Sequence, residues 1–129
     1  GSYLKNEMAP ERKLYQNLKK NTPSIIWNRV ENLSLLGMPD LLGYNTSKHF
    51  FTVELKVAKG DKVRFSPHQI AFHIQHPKNT FILIEALGQR CFKLFPGSTI
   101  RGLSSEGHDY DWPLATSWEE IQKIFNELN

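Results

Sequence analysis

With 129 residues, 40% of them apolar and 22% charged, the chain has the size and balance of one globular domain with a real core, not a disordered or fibrous protein. No apolar run approaches a membrane span and no signal-peptide pattern opens the chain, so a cytoplasmic protein without a membrane partner is expected. The net charge of +3 permits a nucleic-acid partner without requiring one, and a single cysteine, Cys91, excludes an internal disulfide.

Gly1-Ser2 reads as a cloning remnant, and residues 1–9 read as an N-terminal extension. The first element is a helix from about Pro10 to Lys20, with Pro10 suited to the first helical position. Glu11, Leu14, Tyr15 and Leu18 share one stripe of it. Asn21-Thr22-Pro23 breaks that helix, and Ser24–Val30 has strand character. Met38–Tyr44 forms a second strand and Asn45–Lys48 turns the chain into a third, Phe50–Val57. Ser66 and Pro67 mark the start of a helix whose apolar stripe is Ile70, Ala71 and Ile74 and whose end is Pro77. Phe81–Ala86 is apolar enough for a strand buried on both faces. Cys91–Phe95 reads as a further strand near an edge, with Cys91 as a buried, inert thiol. Residues 96–116, rich in Gly, Ser and Pro, read as an irregular loop, with Ser104–Trp112 a lid or dimer contact. Ser117 and Glu120 form a capping box for a last helix over 117–128. Helices packed on a sheet in one α/β domain follow from this order.

The stretch from Met38 to Val57 carries the chemistry. An acid follows a proline at Pro39-Asp40, and Glu54-Leu55-Lys56 lies within an apolar strand. Alternation sends Phe51, Val53, Leu55 and Val57 to one face and Thr52, Glu54 and Lys56 to the other. A carboxylate and an ammonium on such a strand are costly to desolvate without partners, and a divalent metal held by Asp40 and Glu54 would supply one. On a solvated face the same residues would be ordinary cross-strand charges. Lys56, Lys59, Lys62 and Arg64 cluster after this strand, and Arg12, Lys13, Lys19 and Lys20 lie on the first helix, which favours a phosphate-backbone partner. His68, His73 and His76 lie on or beside one helix. Without a cysteine pair or a His-x-x-x-His spacing, they read as a surface face or backbone contacts rather than a zinc site. His49 and His108 carry no signal.

Pro39-Asp40, Glu54-Leu55-Lys56, Glu11-Arg12 opening the first helix and Ser66-Pro67-His68-Gln69 opening the next follow in one order over about Pro10 to Ala86. In this the chain resembles the PD-(D/E)xK nuclease superfamily, most of all the small stand-alone VRR-NUC nucleases of phages and bacteria, and next the archaeal Holliday-junction resolvases. The resemblance implies a restriction-endonuclease-like core, a central mixed sheet flanked by helices. It implies Mg²⁺ or Mn²⁺ on Asp40, Glu54 and the Leu55 carbonyl, with Glu11 completing the site or Glu7 in its place. Lys56 would activate water and stabilise the transition state, Gln69 would position the nucleophile or Lys56, and Lys59, Lys62, Arg64, Arg12 and Ser66 would contact nucleic acid. The implied activity is a DNA endonuclease, selective for branched or junction DNA, leaving a 5′-phosphate and a 3′-hydroxyl, in a bacterial or phage-infected cell. Two-sided junction cleavage would need a homodimer. The alternatives are a sequence-specific restriction or homing-type enzyme, a non-cutting nucleic-acid-binding module, and a plain α/β interaction domain.

Overall fold

A computed structural model describes residues 2–30 and 36–129, with the side chains of residues 2–9 outside the description. Its elements are α1 (Ser2–Asn21), β1 (Ile26–Arg29), β2 (Leu41–Tyr44), β3 (Phe50–Ala58), α2 (Pro67–Gln75), β4 (Thr80–Ala86), β5 (Cys91–Pro96), α3 (Ile100–Glu106) and α4 (Trp118–Asn126). The five strands form one mixed sheet in the order β1-β2-β3-β4-β5. Only β3 and β4 pair in parallel, and α2 makes the crossover between them. The α/β architecture and the central mixed sheet agree with the reading of the sequence.

The alternation of β3 sorts the core into two layers. Phe51, Val53 and Leu55 pack with Leu14 and Leu18 of α1 and Ile121 and Phe125 of α4. Ala58, Ile82, Ile84 and Phe95 pack on the opposite face with Val63 and with Ile100 and Leu103 of α3. The continuous apolar run of β4 is explained by this burial on both sides. Stacked Phe51 and Phe125 rings, with centroids 4.4 Å apart, join sheet and last helix, and Trp27 meets both rings edge-on.

Several expectations are corrected. Helix α1 begins at Ser2 and runs through Pro10, because helix-forming Leu4, Lys5, Glu7, Met8 and Ala9 extend it past the one backbone bond the proline cannot make. Strand β2 starts at Leu41, so Asp40 sits in a bend before the strand rather than inside it. Residues 96–116 are not wholly irregular: a 3-10 turn (Gly97–Thr99) leads into α3, whose Ile100 and Leu103, three apart, are fully buried. Cys91 is partly exposed on edge strand β5, not buried. That edge is partly closed by the chain itself, since Leu94 bonds Ala115 through its N–H at 2.9 Å and accepts from the Leu114 N–H at 2.8 Å.

Asn45, at the β2–β3 turn, ties this sheet to α4. Its buried amide donates to the Phe125 carbonyl at 2.7 Å, and its Oδ1 accepts the His49 N–H at 2.8 Å. Asn45→Ala strands both backbone groups and is expected to lower unfolding stability by about 1–3 kcal/mol in urea titrations.

Candidate active site

The site forms where β2 stops and β3 continues. Leu41 pairs with Val53, the last step of the β2–β3 ladder. Two residues on, the Leu55 N–H finds a side chain instead of a strand: it donates to Asp40 Oδ2 at 2.7 Å. Asp40 keeps its own carbonyl on the Val30 N–H at 2.8 Å, so its backbone stays in line with the sheet while its carboxylate turns onto β3. The approach to Asp40 is steered by Gly37. Its φ of +84° suits glycine, and a Cβ there would lie 2.3 Å from the His68 carbonyl oxygen of α2.

Glu54 lies beside Asp40 and is only 2% exposed. Its pKa is raised far above the carboxylate range by burial first, then by a hydrogen bond to Asp40 and by the Asp40 charge, against the opposing pull of Lys56. Glu11 of α1 joins the group. Desolvation by the surrounding protein and then Asp40 raise its pKa, while Lys56 and Arg29 lower it. The side chain of Glu7, the alternative to Glu11, lies outside the described residues.

Helix α2 supplies the other wall. Ser66 caps it: its Oγ accepts the Gln69 N–H at 3.1 Å, and Gln69 Oε1 accepts the Ser66 N–H at 2.9 Å. The capping box fixes the Gln69 amide, which also reaches the strand. Oε1 accepts from Lys56 Nζ at 3.3 Å and Nε2 donates to Glu54 Oε2 at 3.4 Å. Lys56 Nζ also lies 5.0 Å from the centre of the Phe65 ring. Thus Glu11, Asp40, Glu54, Lys56 and Gln69, far apart in sequence, form one constellation. A cleft of about 460 Å³ meets it at Glu11 and Lys56, with Lys59, Lys62 and Arg64 also on its walls. Arg12 is exposed on α1. A larger hollow of about 710 Å³, lined by Lys93 and the 109–116 segment, contains no residue of this constellation.

The inner face of α2 departs from the expected apolar stripe. Ala71 and Ile74 are exposed, whereas His73 is fully buried next to Glu54. Burial, and secondarily His76, lowers the His73 pKa to about 4, so the ring is neutral near pH 7. His76 stays at the surface, stacked on Phe72 and bonded to the Phe72 carbonyl. His108 also gains a role that its sequence context did not signal. Its buried ring contacts the Gly60 carbonyl at 2.9 Å and Lys93 Nζ at 3.1 Å. Asp61, His108 and Asp109 come close enough to hold a cation, but Lys93 Nζ already sits among them, 2.8 Å from Asp109.

The residues present fit a divalent cation. Two adjacent carboxylates offer hard oxygen donors, and that of Glu54 is nearly dry, only partly offset by Lys56, and incompletely satisfied, since Oε1 has no hydrogen-bond partner. Asp40, Glu54 and the Leu55 carbonyl beside them would hold Mg²⁺ or Mn²⁺, with Glu11 at the rim.

No protein-family model matches the chain, and no curated protein sequence matches it. Among solved structures, the chain is similar to a Holliday junction resolvase of Archaeoglobus fulgidus, with 18% identity over 67% of this chain and 72% of that one and a TM-score of 0.49.

The proton on Glu54 gives a stability test in the metal-free protein. The folded state holds this proton more tightly than the unfolded state, so stability falls as pH rises from 4.5 towards about 10. Glu54→Gln removes that loss. Its melting temperature in EDTA is expected to exceed wild type by about 3 °C or more at pH 8 and by much less at pH 5.

Proposed function

We propose that the chain is a metal-dependent endonuclease that hydrolyses phosphodiester bonds in DNA. The observation that carries this reading is the pair Asp40 and Glu54, held together at a nearly dry sheet face with Lys56 and Gln69 beside them and a basic cleft adjoining at Lys56. A cation bound there supplies positive charge against a phosphate and lowers the pKa of a water. The chain's own groups supply the rest. Lys56 presents its ammonium where negative charge grows on a phosphorus under attack, which favours the transition state over the ground state. Gln69 holds Lys56 and Glu54 in register, so that the helix cap also orders the reacting groups. Lys59, Lys62, Arg64 and Arg12 are exposed and contact phosphates without reading bases, and Ser66 lies exposed at the same helix end.

Hydrolysis at such a site leaves a 5′-phosphate and a 3′-hydroxyl. One catalytic centre per chain cuts one strand, so symmetric resolution of a four-way junction requires a two-fold dimer. The preference for branched DNA rests on the sequence resemblance to VRR-NUC nucleases and resolvases.

Cleavage of linear duplex, single strand, flap, fork and four-way junction in Mg²⁺, Mn²⁺ or EDTA tests the reading. Metal-dependent cutting is expected on the branched substrates, abolished in Asp40→Ala and slowed about 10²–10³-fold in Lys56→Ala. Intact binding with no cutting in any metal would leave a binding module instead. Separately, alanine at Lys59, Lys62 or Arg64 is expected to reduce the slope of log affinity against log salt by about 1 each, measured by fluorescence anisotropy.

A further inference from the structure

Among the described residues, the buried side-chain polar atoms without a hydrogen-bond partner all belong to Thr52, Glu54 and His73. They are Thr52 Oγ1, Glu54 Oε1 and both ring nitrogens of His73. Thr52 and Glu54 are two apart on one face of β3, and His73 lies one turn beyond Gln69 on the helix that covers that face. His73 Nε2 is 4.0 Å from Glu54 Oε1. Packing gives no reason for a histidine here, since an apolar side chain of similar volume would fill the space without stranding two nitrogens.

The surroundings also make room for the ring. A Cβ on Gly97 would lie 2.5 Å from His73 Nδ1 and 2.5 Å from Thr80 Oγ1, so this position leaves space that any larger residue would take from the imidazole. The two oxygens of Glu54 therefore have different neighbours: Oε2 meets the Gln69 amide, and Oε1 faces His73. A carboxylate that binds a cation through one oxygen is oriented by whatever holds the other.

We propose that His73 is a positioning residue for Glu54, donating from Nε2–H to Oε1 while the Gln69 amide meets Oε2, and so fixing the carboxylate in the orientation from which it would share a divalent cation with Asp40. A closing movement of about 1 Å brings the pair to hydrogen-bond length. The inference rests on the metal-centre reading above and adds to it a residue that touches neither cation nor substrate.

The test is Mn²⁺ binding by isothermal titration calorimetry without DNA, paired with thermal melts in EDTA, for wild type, Asp40→Ala, His73→Phe and His73→Gln. His73→Phe is expected to weaken Mn²⁺ binding about tenfold or more, while its metal-free melting temperature holds or rises. His73→Gln, which places an amide donor near the same point, is expected to recover most of the affinity. Unchanged affinity in a folded His73→Phe, whether or not the melting temperature falls, overturns the positioning role. Should His73→Phe not fold, Gly97→Ala displaces the ring with the histidine retained, and the same loss of affinity is expected; unchanged affinity there overturns the role as well. Wild type that binds no Mn²⁺, or binds it equally after Asp40→Ala, overturns the metal centre itself and the role of His73 with it.

Discussion

Two carboxylates set against each other on a poorly hydrated sheet face are the constraint around which this fold is arranged. The attraction that would normally settle such a pair is supplied only in part, by one lysine on the same strand. The chain places them there through backbone geometry rather than charge: β2 begins one residue after Asp40, and the Leu55 N–H takes a carboxylate oxygen where a carbonyl would otherwise sit. A proton on Glu54 is the default remedy in the metal-free protein, and a cation is the alternative. A fold that spends stability on such a cluster is typical of a site kept for chemistry rather than for packing.

Helix α2 has two tasks that pull against each other. It closes the crossover between parallel strands β3 and β4, which calls for an apolar inner face, yet that face carries Gln69 and His73. Among the described residues of α2, Ile70 alone joins the apolar layer on this side, with Val63 and Phe65 ahead of the helix, and α3 supplies Ile100 and Leu103 to complete it. The helix after β5 thus compensates in hydrophobic burial for what the site withdraws from α2.

Much of this was legible in the sequence. The alternation of β3 separated Leu55 from Glu54 and Lys56 correctly, and the Ser66-Pro67 pair placed the start of α2 and so the reach of Gln69. What was missed has definite physical causes. Pro10 has the local signature of a helix start because the bond it forgoes is normally unmade only in a first turn, whereas the preceding residues are strong enough helix formers to carry the helix through. Helix α3 was hidden because its apolar residues, Ile100 and Leu103, are few and lie among Gly and Ser. His73 has the polarity of a surface residue and no local pattern that marks burial, yet it is fully buried beside Glu54. No local pattern marks His108, whose partners lie 48 and 15 residues away.

His108 carries a consequence for the kinetics and energetics of association. Its ring meets the Gly60 carbonyl and its own N–H donates to Asp61 at 3.0 Å, while Leu87 holds the Ala58 carbonyl at 2.9 Å. The turn bearing Lys59 and Lys62 is therefore clamped at both shoulders before any ligand arrives. A loose basic loop loses conformational freedom when a polyanion orders it, and part of its electrostatic attraction is cancelled by that loss. In this chain the backbone freedom has already been given up during folding. The attraction of these lysines is thus available largely undiminished at first encounter, and only their side-chain tips remain to be ordered.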